Sequence, residues 1–195
     1  MLEQAPLSWS TVTLTLGVWF VAVLVAAGTG NLGLSLPALT FGPLLLAWLS
    51  YRRAPRVRRL VEQVDLRSLV ALHATRTVGL GFLFLAGFGV LPGVFAWPAG
   101  LGDAISAVGA LGIVLVWLNG RTVSRRTLLW WNAFGLADFL VAVTIGTLAR
   151  SIALGGGTNT DAMGSLPLVL FPAFVVPFFA ITHLAVLAKV RSSRG

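Results

Sequence analysis

Six charged, imidazole or carboxamide residues stand inside otherwise apolar runs of this chain, and their types limit the chemistry it can host. His73 and Arg76 lie one helical turn apart in SLVALHATRTVGLGFLFLAGF, Asp103 lies in PAGLGDAISAVGA, Asn132 and Asp138 share a later run, and His183 lies in the last. Imidazoles exchange protons near neutral pH and ligate metals, carboxylates take protons or cations, and a guanidinium pairs with carboxylates. In lipid such groups are costly and face a bundle interior. His73, Arg76, Asn132, Asp138 and His183 are therefore the candidate ligand- or proton-binding set.

The elements that position them follow from composition. With 57% hydrophobic and 10% charged residues, and a mean hydropathy of +0.91, the chain lies outside the range of soluble domains. A helix rises about 1.5 Å per residue, so about 20 residues cross a hydrocarbon core of roughly 30 Å. Six runs of suitable length fall near 11–28, 34–50, 68–88, 99–118, 128–149 and 166–188. None alternates as the strands of a membrane barrel do. The expected fold is all-α: a polytopic bundle of six transmembrane helices, occupying residues 1–195 as one membrane domain. The run at 34–50 is short and contains Pro37 and Pro43, so a re-entrant segment is the alternative to a full crossing there.

Basic residues set the orientation, because Lys and Arg in short loops are retained on the cytoplasmic side. Arg52, Arg53, Arg56, Arg58, Arg59, Arg67, Arg121, Arg125, Arg126, Lys189, Arg191 and Arg194 all fall on one side of a six-span arrangement. Only Arg150 falls on the other, and Arg76 lies within a span. Both termini are thus expected in the cytoplasm of a bacterial-type inner membrane. Topology accounts for the net charge of +8, and no nucleic-acid partner is implied. Within the 51–67 loop, Val57, Leu60, Val61 and Val64 recur at helical spacing among arginines. That pattern suits a short helix after Pro55 lying on anionic lipid.

The outer ends of the runs share a phrase: LPALTFGP from Leu36, LPGVFAWP from Leu91 and LPLVLFP from Leu166. Proline is tolerated in a first helical turn and the aromatic anchors the interface, so three in-out-in hairpins are the expected unit. Counted from the cytoplasmic ends, Arg76 and Asp138 lie roughly 12–14 Å deep, and His73 and His183 roughly 7–8 Å deep. This predicts an Arg76–Asp138 ion pair above a His–His layer. Asp103 is expected near the outer surface, apart from that pair. Asp138 shares a helix face with Gly135, Ala142, Gly146 and Ala149, whose small side chains permit close packing.

Several activities find little support. The chain has no cysteine, which removes thiolate chemistry. GTGNLG at residues 28–33 has the letters of a dinucleotide fingerprint without its strand and helix context, and reads as a turn. GLGD, ending at Asp103, has the letters of the GxGD motif of aspartyl intramembrane proteases, but Asp138 lies too deep to complete a dyad. The pattern leans away from enzymatic catalysis. The tryptophans near span ends, Trp130 and Trp131 among them, read as interfacial belts. The polar segment 155–165 reads as a flexible connector.

Three functional readings stay open. The polar cluster binds or moves a small ligand or proton; or His73 and His183 clamp a b-type haem, or ligate a metal, in a redox protein; or the chain is a non-catalytic subunit whose partner is another membrane protein or a second copy of itself.

Overall fold

The computed structural model describes residues 8–29, 35–152 and 158–192, and every regular element among them is helical. Helix α1 is Trp9–Gly28, α2 is Ser35–Arg53 and α3 is Pro55–Gln63. The next run has three pieces: α4 (Leu66–Leu72), a 3₁₀ stretch (His73–Leu80) and α5 (Gly81–Gly87). Then come α6 (Gly93–Leu118), α7 (Arg125–Ile152), a 3₁₀ turn (Asp161–Gly164), a π-helical turn (Phe171–Val175) and α8 (Val176–Ser192).

Among the described residues, five helical stretches are long and apolar enough to cross a membrane: Trp9–Gly28, Leu66–Gly87, Gly93–Leu118, Arg125–Arg150 and Phe171–Ser192. Helix α2 covers the expected second span but is not among them. Pro37, Thr40, Pro43, Ser50, Arg52 and Arg53 occupy much of its length and dilute its hydropathy. Apolar side chains line the exposed surface, including Leu14, Leu46, Phe84, Val108, Leu115 and Leu140, while the largest fully buried side chain is that of Arg76. Apolar outside and charged inside is the arrangement that lipid selects and water does not. The described residues are thus all-helical, with helices apolar enough to make up a membrane bundle.

It forms two compact units. The first takes in the described residues up to Asp65 together with Met163–Ile181. Its core is Val23, Val169 and Ala173, with Trp19, Leu36 and Leu39 packed around them. Phe174 on the π turn places its ring 4.6 Å from that of Trp19. Pro172 lies inside this turn, where the wider hydrogen-bond spacing accommodates its missing N–H.

The second unit takes in Leu66–Ala162 and the described residues from Thr182 onward. Its distinctive element is the 3₁₀ stretch, eight residues long, where runs beyond three or four are uncommon. At three residues per turn, His73, Arg76 and Gly79 fall in line on one face, and all three are buried. An α-helix would fan them over an arc of about 120°. The stretch packs chiefly against α6, which also packs on α7.

Two boundaries differ from those read in the sequence. Helix α6 begins at Gly93 with Pro92 as its N-cap, six residues before the expected start, and Pro98 lies inside it. Each of the three Leu-Pro phrases does open a helical segment, but its second proline (Pro43, Pro98 or Pro172) sits within the helix. The connector expected to be flexible is pinned over its described part. Thr160 Oγ1 donates to the Gly146 carbonyl at 2.7 Å, and Arg150 Nε donates to Asp161 at 3.1 Å. Residues 155–157 of that connector and most of GTGNLG lie outside the described residues.

Candidate functional site

Arg76 is the hub of a charged cluster within the second unit. Only 1% of it is exposed, and the straight 3₁₀ face aims it at α6, α7 and α8 together. Its Nε donates to Asp103 Oδ1 at 2.7 Å, and its Nη2 donates to Asp138 Oδ2 at 2.5 Å. Its Nη1 donates to Ser106 Oγ at 2.9 Å and to His183 Nε2 at 3.0 Å. The ring of Phe139 lies 4.0 Å from the guanidinium carbon, close enough for a cation–π contact. Four of the five N–H groups of the guanidinium are thereby engaged.

The hydrogen-bond directions fix the state of His183. A guanidinium only donates, so Nε2 of His183 is the acceptor and carries no proton. In the neutral ring the hydrogen is then on Nδ1, which donates to Asn132 Oδ1 at 2.9 Å. The reversed Asn132 amide would leave His183 accepting at both nitrogens, which a neutral imidazole cannot do. His73 packs on His183 with ring centroids 3.9 Å apart and the planes tilted by 34°, and Thr182 Oγ1 lies 3.2 Å from its Nε2. Trp131 closes the group, its ring 5.2 Å from His73 and 5.0 Å from His183, with Nε1 donating to the Ser106 carbonyl.

Three glycines make the room. A side chain on Gly79 would meet the Asp103 carboxylate, one on Gly102 would meet that of Asp138, and one on Gly135 would meet the His183 imidazole. Each glycine lies on the element facing the polar group it admits, so the helix backbones close up around the charges.

The structure therefore brings together His73, Arg76, Asn132, Asp138 and His183, and it adds Asp103, Ser106 and Trp131. The Arg76–Asp138 pair is present. Asp103, expected apart near the outer surface, is instead the second carboxylate on Arg76. The reason is the early start of α6, which puts Asp103 ten residues inside the helix, about 15 Å from its end. The two histidines do meet, but they join the same cluster instead of a layer of their own, because His183 reaches the guanidinium directly. Trp131 is not a belt residue: it is 8% exposed. Its neighbour Trp130, 77% exposed, does face outward. Nothing in the sequence marks Gly79 or Gly102 as a point of close approach, although each lies within three residues of a charged side chain.

A family model described as a domain of unknown function (DUF8737) matches residues 34–191. The chain belongs to this family. No curated protein and no solved structure matches it. The matched range carries every residue of the cluster, so the cluster lies within the DUF8737 domain.

The chemistry of the DUF8737 cluster narrows on geometry. Asp138 does not lie too deep to meet Asp103, since both reach Arg76, but an oxygen of each is occupied by the guanidinium. A dyad that activates water needs its carboxylates to face each other. A bis-histidine haem needs imidazoles on opposite faces of a macrocycle with a nitrogen of each on iron. Here the rings pack in contact, His183 uses both nitrogens and Nε2 of His73 meets Thr182, so the pair does not suit haem. Among the described residues no group of three or more His, Asp or Glu could hold a metal ion.

Proposed function

We propose that this chain is a six-span inner-membrane protein whose buried Arg76–Asp103–Asp138 cluster binds one exchangeable proton. The observation that carries it is the charge count. One guanidinium faces two carboxylates, and among the described residues the only ion pairs of Asp103 and Asp138 are those with Arg76. His183, an acceptor toward Arg76, adds no charge. With both carboxylates ionised the cluster holds a net negative charge, which is expensive within a bilayer. One proton on the carboxylate pair removes it. Release and uptake of that proton then change the buried charge by one unit, which is what proton-coupled movement of a solute or a partner requires.

The wider setting is part of the same reading. Basic residues gathered in 51–67, 121–126 and the C-terminal segment support cytoplasmic termini and three in-out-in hairpins, with α2 as the second crossing. The family match spans parts of both compact units, which supports treating them as one membrane domain. The test is infrared difference spectroscopy on the purified protein during a pH change. A protonated-carboxyl band that disappears in Asp103→Asn or Asp138→Asn is the expected result. The absence of any such band would overturn the proposal.

A second reading is favoured by one observation: Arg76 is nearly saturated with hydrogen bonds. Such a cluster suits a pin that fixes helix register in a non-catalytic membrane subunit. Under that reading, Asp138→Asn changes stability or assembly alone and leaves no proton signal to lose.

A further inference from the structure

Helix α3 and the end of α2 carry a surface that the buried cluster does not use. The last turn of α2 ends in Arg52 and Arg53, and α3 starts almost at once, with Pro55 in its first turn. Arg52, Arg53, Arg56 and Arg58 are exposed, while Val57, Leu60 and Val61 on the same short helix are half-buried. Trp48, half-exposed one turn earlier, lies under the Arg52 guanidinium at 5.3 Å. A tryptophan beneath an arginine at the end of an apolar helix marks the boundary between hydrocarbon and headgroups.

Two further facts bear on what binds there. Five arginines, Arg52, Arg53, Arg56, Arg58 and Arg59, stand against Glu62 and Asp65 as the only acids of the segment 52–65. Arg59 also turns inward, with Nε and Nη2 buried and without a hydrogen-bond acceptor among the described residues. That edge of a guanidinium is the fork that matches two oxygens of a phosphate. The segment is thus a cationic surface, set at a headgroup boundary, with a guanidinium edge short of an oxyanion.

We infer that α3 and the last turn of α2 form a docking surface for the phosphodiester headgroups of anionic phospholipids. Arg52, Arg53, Arg56 and Arg58 attract the headgroup layer, and the apolar residues of α3 settle the helix at its inner edge. Topology alone asks only for positive charge in this loop, in any conformation. A folded amphipathic helix placed beside an interfacial tryptophan goes further, because it presents that charge in one plane. This inference stands apart from the proton reading and does not depend on it.

The chain has no cysteine, so Val57→Cys offers a single attachment point for an environment-sensitive fluorophore on the full protein in lipid nanodiscs. As phosphatidylglycerol replaces phosphatidylcholine, the emission is expected to shift to the blue. In Arg56→Gln with Arg58→Gln, half-response is expected at a roughly several-fold higher phosphatidylglycerol fraction. The exposed pair Arg121→Gln with Arg126→Gln removes the same charge elsewhere and is expected to leave the response unchanged, and it also serves as the folding control. Emission that ignores phosphatidylglycerol would overturn the inference, as would equal weakening by both pairs. Inorganic phosphate that reproduces the shift in pure phosphatidylcholine discs would assign the surface to a free anion and overturn the lipid assignment.

Discussion

At the scale of single residues, the charge count makes a prediction that ordinary ion-pair reasoning does not. If one carboxylate of the pair carries a proton, replacing either Asp103 or Asp138 with Asn mimics the neutral member and leaves Arg76 a charged partner. Each single variant is expected to fold, at a cost near 1 kcal/mol for an altered hydrogen bond. The double variant strands a buried guanidinium and is expected to lose about 3–5 kcal/mol. Thermal unfolding in detergent measures both, and a single variant as damaging as the double would overturn the expectation that one remaining carboxylate satisfies Arg76. Arg76→Lys is expected to resemble the double variant more than the singles, because an ammonium cannot reach four acceptors on three helices. His183 supplies an independent check. Its ring is expected as the Nδ1–H tautomer, readable by ¹⁵N chemical shifts, and the preference is expected to survive Asn132→Leu, because Arg76 still donates to Nε2. The Arg76–Asp138 pair was legible in the sequence because both residues stood alone in apolar runs at equal depth. Asp103 was not, since its depth depended on where α6 begins, and Trp97-Pro98 looked like a boundary.

At the scale of elements, the 3₁₀ stretch and the glycines decide the site more than the charges do. Sequence periodicity locates a span over 68–88, and the structure agrees to within two residues at Leu66–Gly87. It carries no signal that the middle of that span is wound at three residues per turn. Nothing in HATRTVGL forbids an α-helix, and the tighter winding arises where His73, Arg76 and Gly79 must all face α6 and its neighbours. The glycines give this a measurable form. Gly79→Ala and Gly135→Ala are each expected to destabilise by about 1–3 kcal/mol, since the added methyl drives into a carboxylate or an imidazole with no room to retreat. Gly112→Ala on α6 meets nothing within 4 Å, and it is expected to be neutral or to gain up to about 1 kcal/mol from helix propensity. If Gly79→Ala and Gly112→Ala proved equivalent in thermal unfolding, the close approach between the 3₁₀ stretch and α6 would not hold.

At the scale of the whole molecule, the apolar surface and the places where the arginines stop decide the topology. Membrane class was legible from composition alone, because polar residues are too few to cover the outside of a soluble domain. Number of spans was less so: α2 is helical as expected, yet its prolines and terminal arginines leave it less apolar than the other five. Orientation decides between a full crossing and a re-entrant α2. If α2 crosses, residues 119–124 lie in the cytoplasm and residues 158–160 outside, with an odd number of crossings, α7, between them. The start of α1 must then lie on the same side as residues 119–124, since four crossings separate them. If α2 turns back, three crossings separate them and the start of α1 moves to the opposite side. The chain lacks cysteine, so Ser10→Cys, Thr122→Cys and Thr158→Cys each provide one site for a membrane-impermeant thiol reagent on intact cells. The six-span arrangement expects Thr158→Cys to label at once, and Ser10→Cys and Thr122→Cys only after permeabilisation. Labelling of Ser10→Cys from outside, with Thr122→Cys still protected, would reduce the spans to five and make α2 re-entrant. The cluster would survive that outcome, because all its residues lie on helices that cross in either case.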